Sequence, residues 1–167
     1  TAQRFNFKMV ALERVPMFRH LTYKERMAFL AAADDRGFEP GEVLMAEGTP
    51  GDEFFVLVHG QCAIRKGAQE IAQVGPGSPL GDMALISRKP RSATVVAVTD
   101  ARAIVVGREA FYGFLRSDSV AATKLLWAFA QVITDRLAST TTDLEMARSS
   151  AAHTVAEMPI YPLTDTD

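Results

Sequence analysis

The chain has 167 residues, of which 48% are hydrophobic, enough for one sizeable core with an appended helix and too few for two full domains. Its net charge of −2 comes from interspersed acids and bases with no lysine or arginine stripe, which speaks against nucleic acid as a direct partner. Cys62 is the one cysteine, and His20, His59 and His153 stand far apart, so neither an intramolecular disulfide nor a Cys/His metal set is expected. No run approaches the ~20 apolar residues of a membrane span, and the opening TAQRFNFK lacks a signal-peptide core, so a reducing, cytoplasmic setting without membrane contact is expected. Because the chain starts at Thr1 rather than Met, its native beginning is expected upstream.

Phe7 to Phe18 carries apolar residues at helical intervals, interrupted at Pro16, which has no N–H to continue the ladder. Thr22 and Glu25 form a capping-box signature for a second helix, expected to run to about Ala33, where Asp34, Asp35 and Gly37 stop it. From Gly37 to Gly107 the periodicity becomes that of strands. Apolar runs at Val43–Ala46, Phe54–Val58, Cys62–Ile64, Ile71–Val74, Thr94–Val98 and Ala103–Val106 are separated by Pro-Gly, Gly-Asp, Lys-Gly and Gly-Pro-Gly turns. Short strands at this spacing predict a β-barrel or jelly-roll-like sandwich. Glu109–Leu115 reads as a short helix and Val120 onward as a long one.

Within the β-rich part, Gly75 to Val98 (GPGSPLGDMALISRKPRSATVVAV) would suit one bound phosphate. Gly75, Gly77 and Gly81 allow tight turns, and the helix-compatible run Asp82–Ile86 would present unpaired N–H groups at its first turn, where an anion is favoured. Arg91 follows Pro90, so its guanidinium could be held against a phosphate oxygen by charge-assisted hydrogen bonds, with the Ser92 hydroxyl beside it. Asp82 would repel a phosphate but accepts well from sugar hydroxyls. The plain alternative is that these glycines only make turns and that Arg91 is solvated; the surrounding pattern has to decide.

Along the long helix, Leu126, Ile133, Thr140 and Ala147 recur at heptad spacing, interleaved with Ala130, Leu137, Leu144 and Ala151, an a/d seam of about four heptads expected to pack on a partner helix. Thr140 is the polar exception, and local reasoning has its hydroxyl bonding back to its own helix. Beyond Arg148 the segment SSAAHTVAEMPIYPLTDTD contains two prolines and is expected to be a disordered tail or a docking segment.

Two stretches in the right order resemble the cyclic nucleotide-binding domain family, the β-roll of catabolite-activator-type regulators, cyclic-nucleotide-dependent kinase regulatory subunits and gated channels. The first is PGEVLMAEGTPGDEFFVLVHGQCAI, Pro40–Ile64, with spaced glycines at Gly41, Gly48, Gly51 and Gly60; the second is LGDMAL followed by RSATV. The resemblance, over about Leu12 to Leu144, implies a mainly β fold with flanking helices, an antiparallel β-roll or jelly roll. Expected boundaries are N-terminal helices at 1–34, the roll at 35–118, a long lid or dimerisation helix at 119–147 and a flexible tail at 148–167.

The resemblance also implies site roles. Gly81 and the N–H groups of Met83 and Ala84 would line the phosphate and ribose, and Arg91 would pair with the cyclic phosphate. Ser92 would donate to the phosphate or the base, with Ala93 beside it. Asp82 stands where the family has a ribose-binding glutamate and is one methylene shorter. Thr140 and Thr141 would touch the purine. Only about twenty residues follow Ala147, too few for a helix-turn-helix, so a stand-alone sensor without direct DNA binding is expected.

The expected function is a non-enzymatic, homodimeric sensor of cAMP, with cGMP the other candidate, that moves its C-terminal helix to change the surface met by a downstream protein partner. No nucleophile with an adjacent base and no paired carboxylates stand near the cassette; His59, the nearest candidate base, reads as a turn residue. Two alternatives remain: a degenerate roll that no longer binds nucleotide, and a cupin-like metal enzyme, against which the dispersed histidines speak.

Overall fold

The computed structural model describes residues 2–156 of the chain, which divide into two units at Phe129/Ala130. In the first unit, α1 (Ala2–Arg14) ends before a 3-10 turn at Pro16–Phe18, as the missing proline N–H dictates. Helix α2 (Tyr23–Ala31) opens on the predicted capping box. The Thr22 N–H donates to Glu25 Oε2 at 2.6 Å and the Glu25 N–H to Thr22 Oγ1 at 3.3 Å.

Eight strands follow: β1 (Asp34–Phe38), β2 (Val43–Met45), β3 (Glu53–His59), β4 (Cys62–Lys66), β5 (Gln69–Val74), β6 (Pro79–Leu80), β7 (Thr94–Ala97) and β8 (Ala101–Gly107). They form two antiparallel four-stranded sheets, ordered β1-β8-β3-β6 and β2-β7-β4-β5. This is the antiparallel β-roll with N-terminal helices and a long C-terminal helix that the strand spacing and the resemblance anticipate, although the chain is mixed helix and strand rather than mainly β. Helix α3 (Arg108–Ser117) follows β8 directly, and α4 (Ser119–Ala156) begins in the first unit.

The continuous apolar run of β3 is explained by burial on both faces. Phe54 and Val56 enter a core shared with the helices, beside Phe18, Phe29, Phe111 and Phe129, while Phe55 and Leu57 enter a second core with Phe38, Leu80, Val95 and Val105. In the helical core the Phe18 and Phe29 rings lie 4.6 Å apart, and Phe29 meets Phe114 edge-on at 5.5 Å. Strand β8 divides in the same way, Ile104 and Val106 to one core and Ala103 and Val105 to the other.

Two strands differ from the sequence expectation. The segment Asp34–Phe38, read as a helix stop, is the edge strand β1, paired with β8 from Asp34↔Val105 to Phe38↔Ala101. It has no apolar alternation because Asp35 and Arg36 work in ion pairs: Asp35 with Lys8 and Arg102, Arg36 with Glu53. Charged edge strands of this kind discourage pairing with other chains. The two-residue β6 is too short to carry any period and exists through its pairing with β3.

The second unit, from Ala130, is described by the continuation of α4. The helix runs through Arg148 to Ala156 instead of giving way to a tail at 148, because no glycine or proline intervenes before Pro159 and alanine favours the helix. The part of the expected tail from 157 to 167 lies outside the described residues. Leu126, Ile133, Leu137 and Leu144 of the heptad pattern are exposed. No helix among the described residues is long and apolar enough to cross a membrane.

Candidate functional site

The cassette begins at Gly81, whose φ of 71° places it in the left-handed region that glycine alone adopts without strain. That turn launches a 3-10 segment, Asp82–Leu85, rather than an α-helix. Its backbone is largely closed on itself. The Ala84 N–H donates to Gly81 O at 3.0 Å, the Met83 N–H to Asp82 Oδ1 at 3.0 Å, and the Ser87 N–H to Met83 O at 2.7 Å. The two N–H groups expected to face a phosphate are therefore both engaged within the turn. Asp82 itself is buried, 5% exposed.

Arg91 is the centre of the site. It is 9% exposed, and its backbone is fixed by two bonds to the preceding loop: its N–H donates to Thr49 O at 2.9 Å and its carbonyl accepts from the Gly48 N–H at 2.8 Å. The guanidinium Nη2 donates to Glu53 O at 2.6 Å, and Nη1 makes a longer bond to Gly81 O at 3.5 Å. It is framed by two glycines. A Cβ at Gly51 would strike Arg91 Nε and Cζ and lie 2.8 Å from Cδ, and one at Gly81 would strike Nη1. Gly51 is thus required for close approach and Gly81 for both approach and conformation.

The electrostatics are unusual for a buried cation. Among the described residues Arg91 joins no ion pair; its partners are carbonyl dipoles. Burial pulls its pKa below the ordinary guanidinium value; the charges of Glu53 and Asp52 push it up and that of Arg108 pulls it down again. The group stays charged at neutral pH. All its hydrogen bonds go to carbonyls, and Gly51 and Gly81 make room for the side chain; a buried guanidinium of this kind suits a phosphate oxygen as a further acceptor.

Arg108, at the start of α3, carries no signal in the sequence. Its Nε donates to Ala84 O at 2.9 Å, and its Nη2 to Ala84 O, Gly51 O and Ser87 O at 2.6, 3.2 and 3.2 Å. Its own N–H donates to Asp52 O at 2.7 Å. One side chain thus ties the 51–52 turn to the 84–87 turn. No local motif marks it, because all its acceptors are backbone carbonyls far away in sequence.

Of the other expected residues, Ser92 is exposed and Ala93 half-buried, directly ahead of β7. Thr140 and Thr141 belong to the second unit. Both are exposed and donate their hydroxyls to carbonyls of their own helix, Thr140 to Arg136 O and Thr141 to Leu137 O, each at 2.9 Å. That is the back-bonding local reasoning favours for Thr140. Among the described residues, no cluster of His, Cys, Asp or Glu could hold a metal ion, and the thiol of Cys62 is buried, with its pKa pushed up by burial.

The family model for the cyclic nucleotide-binding domain matches residues 35–118, from β1 through α3. The chain belongs to the cyclic nucleotide-binding domain family. A cAMP-dependent protein kinase regulatory subunit from Hypocrea atroviridis is 36% identical over 104 residues, covering 62% of this chain and 22% of that protein. The chain therefore spans about a fifth of that relative's length. Among solved structures, a cyclic nucleotide-binding domain from Methylobacillus flagellatus superimposes with a TM-score of 0.73 at 25% identity, covering 87% of this chain and 84% of its own. The N-terminal domain of a transcriptional regulator from Streptomyces coelicolor gives 0.72 at 27%, covering 78% and 94%. In this cyclic nucleotide-binding domain the matched span holds Gly81, Arg91 and Arg108, the residues that build the buried cationic site.

Proposed function

We propose that this chain is a non-catalytic, cytoplasmic receptor for a cyclic mononucleotide, cAMP foremost and cGMP second. The observation that carries the reading is the buried Arg91 guanidinium, held only by carbonyls and framed by Gly51 and Gly81. Desolvating an arginine is costly unless an anion or strong dipoles compensate, and a cyclic phosphate supplies the missing charge. Arg91 would pair with the phosphate, Gly81 would let the backbone come close, and Ser92 with Ala93 would flank the phosphate or base. Met83 and Ala84 would contribute through their backbone if the turn rearranges. Thr140 and Thr141 would serve the purine by exchanging their bonds within the helix for bonds to the base. The kinase regulatory subunit among the relatives is named for dependence on cAMP, which favours that nucleotide.

In the signalling part of the proposal, ligand favours one position of the long helix over another and so changes the surface met by a downstream protein. The exposed leucines and Ile133 of its heptad pattern supply a homodimer seam. No direct DNA contact, membrane contact or metal enters this reading.

Calorimetric titration with cAMP and cGMP tests it: saturable heat with either supports the receptor, and none with either at millimolar ligand sinks it. A second reading, a roll that has lost nucleotide binding, is favoured by the closed 3-10 turn, in which the Met83 and Ala84 N–H groups are already bonded, and by the short Asp82 side chain. The same titration separates the two.

A further inference from the structure

We propose that Arg108 is a positioning residue for the anion site: without touching the ligand, it fixes the gap in which Arg91 is presented. The inference rests on the receptor reading above.

The geometry is that of a staple between two backbone turns. From α3, Arg108 donates to Ala84 O and Ser87 O in the cassette and to Gly51 O in the turn before β3, while its own N–H donates to Asp52 O. Those turns form the surroundings of Arg91. Gly51 lies against the Arg91 side chain so closely that a Cβ would strike its Nε and Cζ, and Gly81, which launches the 82–85 turn, lies against Nη1. The separation of the two turns is therefore the width available to the Arg91 guanidinium.

Lysine could not do this work. The planar guanidinium spreads its donors over carbonyls in different directions, whereas an ammonium is a compact point charge at the end of a flexible stem. Arg108 also joins no ion pair among the described residues, and its charge adds to burial, the larger cause, in lowering the pKa of Arg91. Two roles can thus be told apart: bridging, which needs the fork, and charge, which does not.

The test compares wild type, Arg108→Lys and Arg108→Gln by calorimetry with cAMP and by amide hydrogen exchange without ligand. With bridging in control, both variants bind cAMP about tenfold or more weakly than wild type, and Lys is no better than Gln within about threefold. In the ligand-free Arg108→Lys protein, the amides of Ala84, Ile86 and Ser87 exchange faster while that of Ile104 in the central strand β8 keeps its wild-type rate. Wild-type affinity in Arg108→Lys overturns the proposal in favour of charge alone. Equal acceleration at Ile104 overturns it in favour of general destabilisation, and this readout stands in the lysine variant even if the glutamine variant does not fold. If the wild type binds only cGMP, the same comparison is made with cGMP; absence of binding of both cAMP and cGMP overturns the receptor reading and this inference with it, whereas the other outcomes strike this inference alone.

Discussion

At the β1 edge of the roll Arg36 donates to both carboxylate oxygens of Glu53, at 3.1 and 2.8 Å, whereas in the cassette Arg91 reaches the same residue only at its backbone carbonyl, at 2.6 Å. The two guanidinium groups respond in opposite directions. The hydrogen bond that Arg36 donates to Glu53 raises the pKa of Arg36, while burial lowers that of Arg91. A bidentate pair on a partly exposed edge thus occupies the acid that could otherwise neutralise the buried cation. The edge pair contributes little stability of its own, as exposed pairs do, yet with the Glu53 carboxylate bonded to Arg36 the hydrogen bonds of Arg91 go to carbonyls and that carboxylate acts on it only as a nearby charge.

The most damaging way to break this contrast is Arg91→Ala, expected to weaken cAMP binding by at least about 1.5 kcal/mol, roughly tenfold, by calorimetry, because a charge-assisted partner is lost. Unchanged affinity would mean that the phosphate is held elsewhere. Next comes Gly51→Ala, which keeps the charge of Arg91 and displaces it. The new methyl meets the far end of a flexible side chain, so the melting temperature should barely change while affinity falls by several-fold, about 1 kcal/mol. Loss of the fold instead would show that Arg91 has no room to yield.

Arg36→Ala attacks the other side of the comparison. Its cost in urea unfolding should not exceed about 1 kcal/mol, since the pair is partly exposed. Nucleotide affinity should drop rather than rise, because the released Glu53 carboxylate then competes for Arg91.

The smallest expected effect is the pH dependence. The hydrogen bond from Arg36 holds the Glu53 carboxyl below the ordinary range despite burial. At Glu25, burial pushes the other way and is outweighed by the bonds from Lys124 and Thr22. Carboxylates whose folded pKa is depressed add stability that is present above their unfolded value near about 4 and is lost as pH falls through the folded values. The urea midpoint should therefore hold steady near neutrality and drop on acidification below about pH 4, with a shallower drop in Arg36→Ala. An acid response identical in wild type and variant would remove Glu53 from the account.

Much of the roll could be read from the chain because strong local signals agree with the tertiary result. Phe54 to Val58 is apolar without alternation since both faces of β3 are buried, and Thr22 with Glu25 closes a capping box that needs no distant partner. Asp34 to Phe38 could not be read as a strand, because its edge position replaces apolar period with ion pairs. The site divides in the same way. Gly81 and Arg91 are marked by the spacing of the cassette, whereas Arg108 bonds to three carbonyls more than twenty residues away and leaves no pattern behind.

The order of residues alone was enough for a β-roll with helices at either end and for the glycine and arginine spacing of the cassette, and the resemblance of two stretches pointed to the cyclic nucleotide-binding family. The roll and the turns follow from period and turn chemistry, which are local properties. Folding decided that Arg91 is buried, that Glu53 spends its carboxylate on Arg36, and that the first turn after Gly81 bonds to itself. Each of these depends on which carbonyls and carboxylates are brought together from distant segments. Burial and pairing are properties of the packed chain, so sequence period carries no record of them.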